Sequence, residues 1–363
     1  MALLLTLGDD MSRMFIRVQP DQPQVGQLAR EFCAQYLSIF GLGLPAAAVL
    51  FIGGAALRGA GDTRSPFFAM CLVNAVNIVV SVYLALNPQS ARELGLPFAD
   101  FAQGLQVAGI AWGTTIAWCV GAIAVLLILL SGRAPVRLRW IRLRPHWHTM
   151  RRILRVGLPT MFESGGVWVI NGFIVMFVSM LPAVGALGAH MIGVRIEAIS
   201  FLPGFAIGIA ASTLIGQYLG LGDVARAKRA VELCALLAIV SMGLMGVVFI
   251  CMPEALVRLV SPDSPEHLAM TPTLLIICGV IQPFFAMTAV FGQALRGAGD
   301  TRAAMLISYG SMLSVRLVGA YVLGIALGFG LSGVWAALCS CIALRGLLFA
   351  ARFYQGRWQS IQV

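Results

Sequence analysis

The sequence predicts an all-α polytopic membrane protein made of two parallel-related helical bundles, and three observations carry that prediction. Of its 363 residues, 59% are hydrophobic and only 11% are charged, with a mean hydropathy of +0.89; ordinary soluble domains carry about 25% charge. Nine apolar runs are each long enough to cross roughly 30 Å of hydrocarbon. The nine residues ALRGAGDTR stand at 56–64 and recur at 294–302. Spans and their connections, roughly 20 residues or more apiece, consume the chain and leave no room for a soluble catalytic domain.

In chain order the runs fall at 37–57, 66–86, 108–131, 157–181, 189–218, 231–252, 271–294, 304–328 and 332–352. Lipid admits only helices or closed barrels, because every backbone polar group must be satisfied internally, and runs of this length are helices. The opening MALLLTLGDDMSRMFIRV reads as a stub. Its apolar part is too short to span, Asp9 and Asp10 interrupt it, and it has neither the positive start nor the small-residue cleavage site of a signal peptide. The expected organisation is a partial N-terminal bundle over 1–131, a basic linker over 132–156, and a complete six-helix bundle over 157–363.

Charge sets the expected orientation. The formal net charge is +10, and residues 131–155 hold eight arginines and no acid. Loops on the same side add Arg58, Arg64, Arg226, Lys228, Arg229, Arg296 and Arg302, with Arg352 and Arg357 near the C-terminus. The opposite loops carry only Arg92 and Arg258 among Glu93, Asp100, Glu254, Asp263 and Glu266. The positive-inside rule therefore places 131–155 and the C-terminus in the cytoplasm of a bacterial inner membrane, although Arg13, Arg17 and Arg30 then lie outside. The basic stretch reads as a juxtamembrane linker on anionic headgroups, with Trp140 and Trp147 at the interface, and not as a nucleic-acid patch.

Each copy of ALRGAGDTR ends one apolar run and precedes another, and a weaker echo follows, GIAWG at 109–113 and GVWAA at 333–337. Both copies face the same side, so the repeats run parallel about an axis along the membrane normal, an architecture of transporters with a site between halves. The glycines permit a tight turn. Arg58 with Asp62, and Arg296 with Asp300, are spaced to pair locally or to reach headgroups or a neighbouring loop. The motif reads as a cytoplasmic turn, a hinge or topology lock, in preference to a substrate site.

The cysteines, Cys33, Cys71, Cys119, Cys234, Cys251, Cys278, Cys339 and Cys341, include no CxxC pair and mostly sit in apolar runs as small packing residues. The histidines, His146, His148, His190 and His267, have no zinc spacing. No metal, cofactor or enzymatic constellation is expected.

LRGAGDTR after a helix, twice, with a basic linker between, resembles the multidrug and toxic compound extrusion (MATE) family. GAHMIGVRIEAISFLPGFAIGIAASTLIGQYLGLGDVARAKRA at 188–230 is similar to that family's eighth helix and following loop, and VRLVGAYVLG at 315–324 to its eleventh. The resemblance covers essentially the whole chain. It implies a six-plus-six plan in which 157–352 supply the second six, whereas the first half supplies its last three helices and the tail of its third. About 90 residues of that plan are then unaccounted for. Secondary active antiport by alternating access is implied, with no cofactor beyond a coupling proton or sodium ion. The implied partners are small organic substrates and membrane lipid, with no nucleic acid; nothing in the loops signals an oligomer.

Charges inside the bilayer are functional by default, since each costs roughly 2.5–3.5 kcal/mol on insertion scales. Glu163, in GLPTMFESGGVWVING, stands where the family's cation site has an acid and is the first coupling candidate. The alternative for it is a hydrogen bond to a helix end near Pro159. Asn77 matches an asparagine of the DinF-like proton cluster, but Ser81 replaces the expected aspartate, so an interhelical hydrogen bond is the plainer reading. Arg195 and Glu197 lie two apart and so not on one face; each is expected to pair elsewhere, with Arg316 a partner for Glu197. Gln217 matches the family's GQ, where a turn role is expected. Phe285 stands near the place of the NorM-like aspartate, which argues against a NorM-like sodium site and slightly favours protons.

Trp168, Phe173, Met176, Phe177, Phe284, Phe285 and Met287 suit either a cavity for flat lipophilic cations or lipid-facing packing. Two other readings stay open. A lipid-linked oligosaccharide flippase needs several cavity arginines, for which only Arg195, Arg316 and Arg345 are candidates. A non-transporting membrane fragment is the other.

Overall fold

The computed structural model describes residues 23–132, 136–138 and 146–360. The N-terminal stub and residues 133–135 and 139–145 of the arginine-rich stretch lie outside these. Among the described residues there is no strand, and nine helices are long and apolar enough to cross a membrane. Each of the nine expected runs falls on one of these helices. The chain divides into two compact units, Met1–Arg144 and Pro145–Val363.

In the first unit α1 is Pro23–Gly59, α2 Arg64–Ala85 and α3 Gln106–Ser131. Helix α3 packs on both others, burying Leu50, Leu57, Ala69, Val73, Ala117 and Val125. Lipid supplies no hydrophobic drive between helices, so close approach at small residues does the work. Gly113 illustrates this, since a Cβ there would sit 2.8 Å from Ser81 backbone. The segment between α2 and α3, expected as plain loop, contains a short helix Pro88–Glu93. Asn87 starts it by accepting the Ser90 amide at 2.7 Å, the usual N-cap arrangement.

The second unit holds α4 Trp147–Ser179, α5 Ala186–Gly220, α6 Val224–Cys251, α7 Pro265–Gly297, α8 Thr301–Ala326 and α9 Gly330–Tyr354. Helix α7 is its axis, packing on α5, α6 and α9. Gly246 of α6 and Gly279 of α7 meet backbone to backbone: a Cβ on Gly246 would fall 2.5 Å from the Gly279 carbonyl oxygen. Cys278 and Cys339 pack in the buried cluster with Phe249, Leu274 and Trp335, as expected of small core residues. A second short helix, Pro253–Val260, precedes α7.

Two boundaries differ from expectation. Helix α1 begins at Pro23 and not near 37, and α4 begins at Trp147 and not near 157, so helix takes up the end of the expected linker. Hydropathy marks only the lipid-immersed part of a helix, whereas Arg30, Glu31, Arg151, Arg152 and Arg155 favour helix while ending the apolar run. Helix α8 is regular over Thr301–Ser311 and then takes wider π turns at Met312–Leu317 and Val322–Ala326. Such turns concentrate at functional positions, and Arg316 lies in the first.

The repeated turns fold alike. In the first copy Gly61 N–H donates to Arg58 O (2.9 Å) and Asp62 N–H to Leu57 O (3.0 Å); in the second, Gly299 donates to Arg296 O (3.1 Å) and Asp300 to Leu295 O (2.9 Å). Gly61 and Gly299 adopt φ of 92° and 87°. This is the left-handed helix stop that a side chain would strain.

Candidate functional site

The site forms where α4, α7, α8 and α9 meet within the second unit. Side chains of a helix lean toward its N-terminus, so Arg296, at the end of α7, reaches back into the unit and away from the turn. Its Nε donates to Glu163 Oε2 at 3.2 Å and its Nη2 to Oε1, a two-point grip on the carboxylate. Ser308 Oγ of α8 donates to the same Oε1 at 2.5 Å. Glu163 shares the buried face of α4 with Ile170, Ile174 and Val178 and is 6% exposed. It lies sixteen residues into its helix, more than four turns, because α4 begins at Trp147. Its partners are Arg296 and Ser308; the alternative of a helix-end bond near Pro159 is not the one formed. Tyr309 O–H donates to Phe162 O at 2.6 Å, fixing α8 against α4 beside this cluster.

Glu163, Arg296 and Ser308 line one side of a cavity of about 370 Å³. Phe201 and Phe205 of α5, with Phe285 and Phe349, give it aromatic walls, and Arg345 of α9 also lines it. The Arg296 guanidinium also stands 5.7 Å from the centre of the Phe349 ring, within cation–π range.

The expected local pair of Arg296 with Asp300 does not form. Arg296 turns inward to Glu163, while Asp300, past the helix end, receives Arg352 Nε of α9 at 2.8 Å. In the first copy no ion pair joins Arg58 to Asp62; Asp62 Oδ1 accepts the Ser65 amide at 3.0 Å and starts α2. The Asp62 carboxyl is held below its usual range, first by the Ser65 hydroxyl and then by that amide. The pairing of Glu197 with Arg316 is also not a direct one. Arg316 Nη2 donates to Asn171 Oδ1 at 2.8 Å, though its charge is felt at half-buried Glu197. Arg195 is exposed, and no ion pair joins it to a described residue.

Asn77 Nδ2 donates to Thr114 Oγ1 at 3.1 Å, tying α2 to α3. Gln217 lies near the end of α5, its carbonyl receiving the Leu221 amide at 3.1 Å. Of the aromatic candidates, Phe285 lines the cavity. Phe173 lines a separate apolar groove with Met161, Phe162 and Tyr309, Trp168 is 78% exposed, Met287 packs on the buried core, and Phe284 is half-buried. Sequence reasoning missed Ser308, Phe201, Phe205 and Phe349, and Asn171 as the Arg316 partner. The sequence marks Arg345 only as a candidate cavity arginine for a flippase, and the structure places it on the lining of this cavity.

The MatE family model matches residues 10–83 and 159–322. The chain is 29% identical over 360 residues to the probable multidrug resistance protein NorM of Thermotoga maritima, covering 98% of this chain and 73% of that protein. It is 32% identical over 264 residues to the multidrug resistance protein NorM of Burkholderia vietnamiensis, covering 72% of this chain and 55% of that one. The chain thus spans about three quarters of the first relative and about half of the second. Its fold matches a crystal structure of MATE in the straight conformation, with a TM-score of 0.82 at 18% identity, over 99% of this chain and 76% of that one. It also matches the outward-facing conformation of a multidrug resistance MATE family transporter of the MOP superfamily, with a TM-score of 0.80 at 17% identity, over 99% and 78%. The family model takes in most of the chain and both copies' neighbourhoods, from α1 to α8: the chain belongs to the MatE family of membrane transporters.

Proposed function

We propose that this chain is a secondary active antiporter of a bacterial inner membrane, exporting lipophilic or cationic organic compounds in exchange for protons or sodium by alternating access. Residues 131–155 and the C-terminus face the cytoplasm in this reading. Two relatives named as multidrug resistance proteins support the substrate class. The observation that carries the mechanism is Glu163, an acid held inside the second unit by Arg296 and Ser308 at the wall of an aromatic-lined cavity.

The chemistry is a competition for one carboxylate. With Glu163 ionised, Arg296 and Ser308 satisfy its oxygens. A proton on Oε1, or a sodium ion against it, neutralises the acid and removes the charge that holds Arg296 in place, so α7 and α8 lose a shared anchor on α4. Loading on one side and release on the other then couples cation flow to rearrangement of these helices, as population shift requires a ligand that favours one state. The aromatic walls supply adaptable, sequence-tolerant contact for flat compounds.

The test is purified protein in proteoliposomes loaded with ethidium, with either a pH or a sodium gradient imposed. Gradient-driven ethidium movement that Glu163→Gln abolishes, with membrane insertion intact, supports the reading. Unchanged movement in that variant removes Glu163 from the mechanism, and no movement under either gradient overturns the exporter assignment.

A further inference from the structure

The charges around the cavity do not balance. Arg296 is matched by Glu163, but Arg345, which also lines the cavity, has no partner: its Nε is enclosed without a hydrogen bond, and no carboxylate of a described residue lies at ion-pair distance from it. Arg345 shares the inward face of α9 with Cys341 and Phe349, one turn to either side and both buried. Arg316, another arginine inside this unit's spans with no carboxylate of a described residue within 4 Å, is held by a neutral amide, Asn171. A buried acid, lysine or histidine can escape an unpaired charge by changing protonation; arginine cannot. An uncompensated guanidinium inside a span is costly, and it presents a planar fork suited to two oxygens of a carboxylate or phosphate.

We infer that the cavity of the second unit binds a small aromatic or amphipathic organic anion, its carboxylate or phosphate seated on Arg345 and its apolar body against Phe201, Phe205, Phe285 and Phe349. Gln293 and Ser164, also on the lining, offer neutral donors for the remaining oxygens. The four phenylalanines on the lining favour a ligand with an apolar body over a bare inorganic anion. This seat goes beyond the exporter assignment and does not rest on it, since binding requires no transport.

The experiment is equilibrium binding of three probes that share one ring system, naphthoate, naphthamide and naphthylmethylammonium, to the full chain in phosphatidylcholine nanodiscs. Naphthoate should bind about tenfold or more tightly than either of the others, as a charge-assisted bidentate contact requires. Arg345→Gln should abolish that preference, and Arg345→Lys, which keeps the charge but not the fork, should retain part of it. Equal binding of the three probes, or a preference that survives Arg345→Gln, overturns the inference. If Arg345→Gln fails to fold, the probe series on the unaltered chain and Arg345→Lys still decide. Repeating the titration in phosphatidylglycerol nanodiscs separates the two sources of anion: undiminished naphthoate binding supports a free organic anion, and displacement by the lipid assigns the seat to a headgroup and overturns the small-molecule assignment. Naphthoate binding without any gradient-driven movement of ethidium leaves this seat standing while the exporter reading falls.

Discussion

Arg296 and Asp300, four residues apart in the repeated turn, serve opposite directions. Arg296 reaches back along α7 to Glu163, and Asp300 reaches outward to Arg352 at the end of α9. The turn therefore binds α4 through Glu163 and α9 through Arg352, and Ser308 of α8 joins at the same Glu163 carboxylate. The first copy has the same backbone hydrogen bonds but uses its aspartate only to start the next helix.

That difference sets the first prediction. Asp300→Ala should destabilise the protein by about 3 kcal/mol, because it leaves Arg352, 20% exposed, opposite nothing. Asp62→Ala removes a helix start and should cost about 1 kcal/mol. Thermal midpoints in nanodiscs check both; equal losses would mean the Arg352 pair is worth no more than the Ser65 hydrogen bond.

Removing either half of the Glu163–Arg296 pair should cost about 3 kcal/mol, since the surviving charge is left in an enclosed site. Glu163→Gln with Arg296→Gln together should recover part of that loss, because no charge remains unmatched. A double-mutant cycle measures it. Strictly additive losses would show that the two side chains do not act on each other.

Much of this was legible in the sequence, for reasons that also mark where legibility stopped. Apolar length reports immersion in lipid, so each of the nine helices among the described residues that is long and apolar enough to span was found, while the polar extensions of α1 and α4 were not. ALRGAGDTR gave the turn because Gly61 and Gly299 are required by backbone geometry alone. It did not give the partners of Arg296 and Asp300, since these lie 133 and 52 residues away and spacing within a motif reports only local pairing. Glu163 stood out as an acid in an apolar run, whereas Ser308, an ordinary helical serine, carries no such signal. The π turns of α8 had none either.

Close helix contact makes a third test. Gly246→Val should lower the thermal midpoint by an amount corresponding to about 1–3 kcal/mol, because even its Cβ would meet the Gly279 carbonyl. Gly243, on the same helix, meets nothing within 4 Å, so Gly243→Ala should be neutral or slightly stabilising. Comparable losses in both would mean that the close approach of Gly246 to Gly279 is not the source of the cost.

Acid should loosen the first turn and not the second unit's fold through Asp62. Hydrogen bonds from Ser65 lower the folded-state pKa of Asp62, so its contribution is fully present above the unfolded value, about 3.9. It is lost only as pH falls through the lower folded value. Amide exchange at Ser65, corrected for intrinsic rates, should therefore be flat from pH 7 to 5 and gain protection loss only below about 4. Asp62→Asn should remove that acid step, and a step centred near neutrality would assign it to another group.

The last prediction joins Glu163 to Arg345. Neutralising Glu163 takes one negative charge from the cavity wall and frees the Arg296 guanidinium, so an anion on Arg345 would face two cations and no acid. Glu163→Gln should then bind naphthoate about fivefold or more tightly than the unaltered chain, the lower end of ordinary coupling between sites. Weaker naphthoate binding by Glu163→Gln would mean that Glu163, through Arg296 and Ser308, holds the anion seat in shape and does not oppose it.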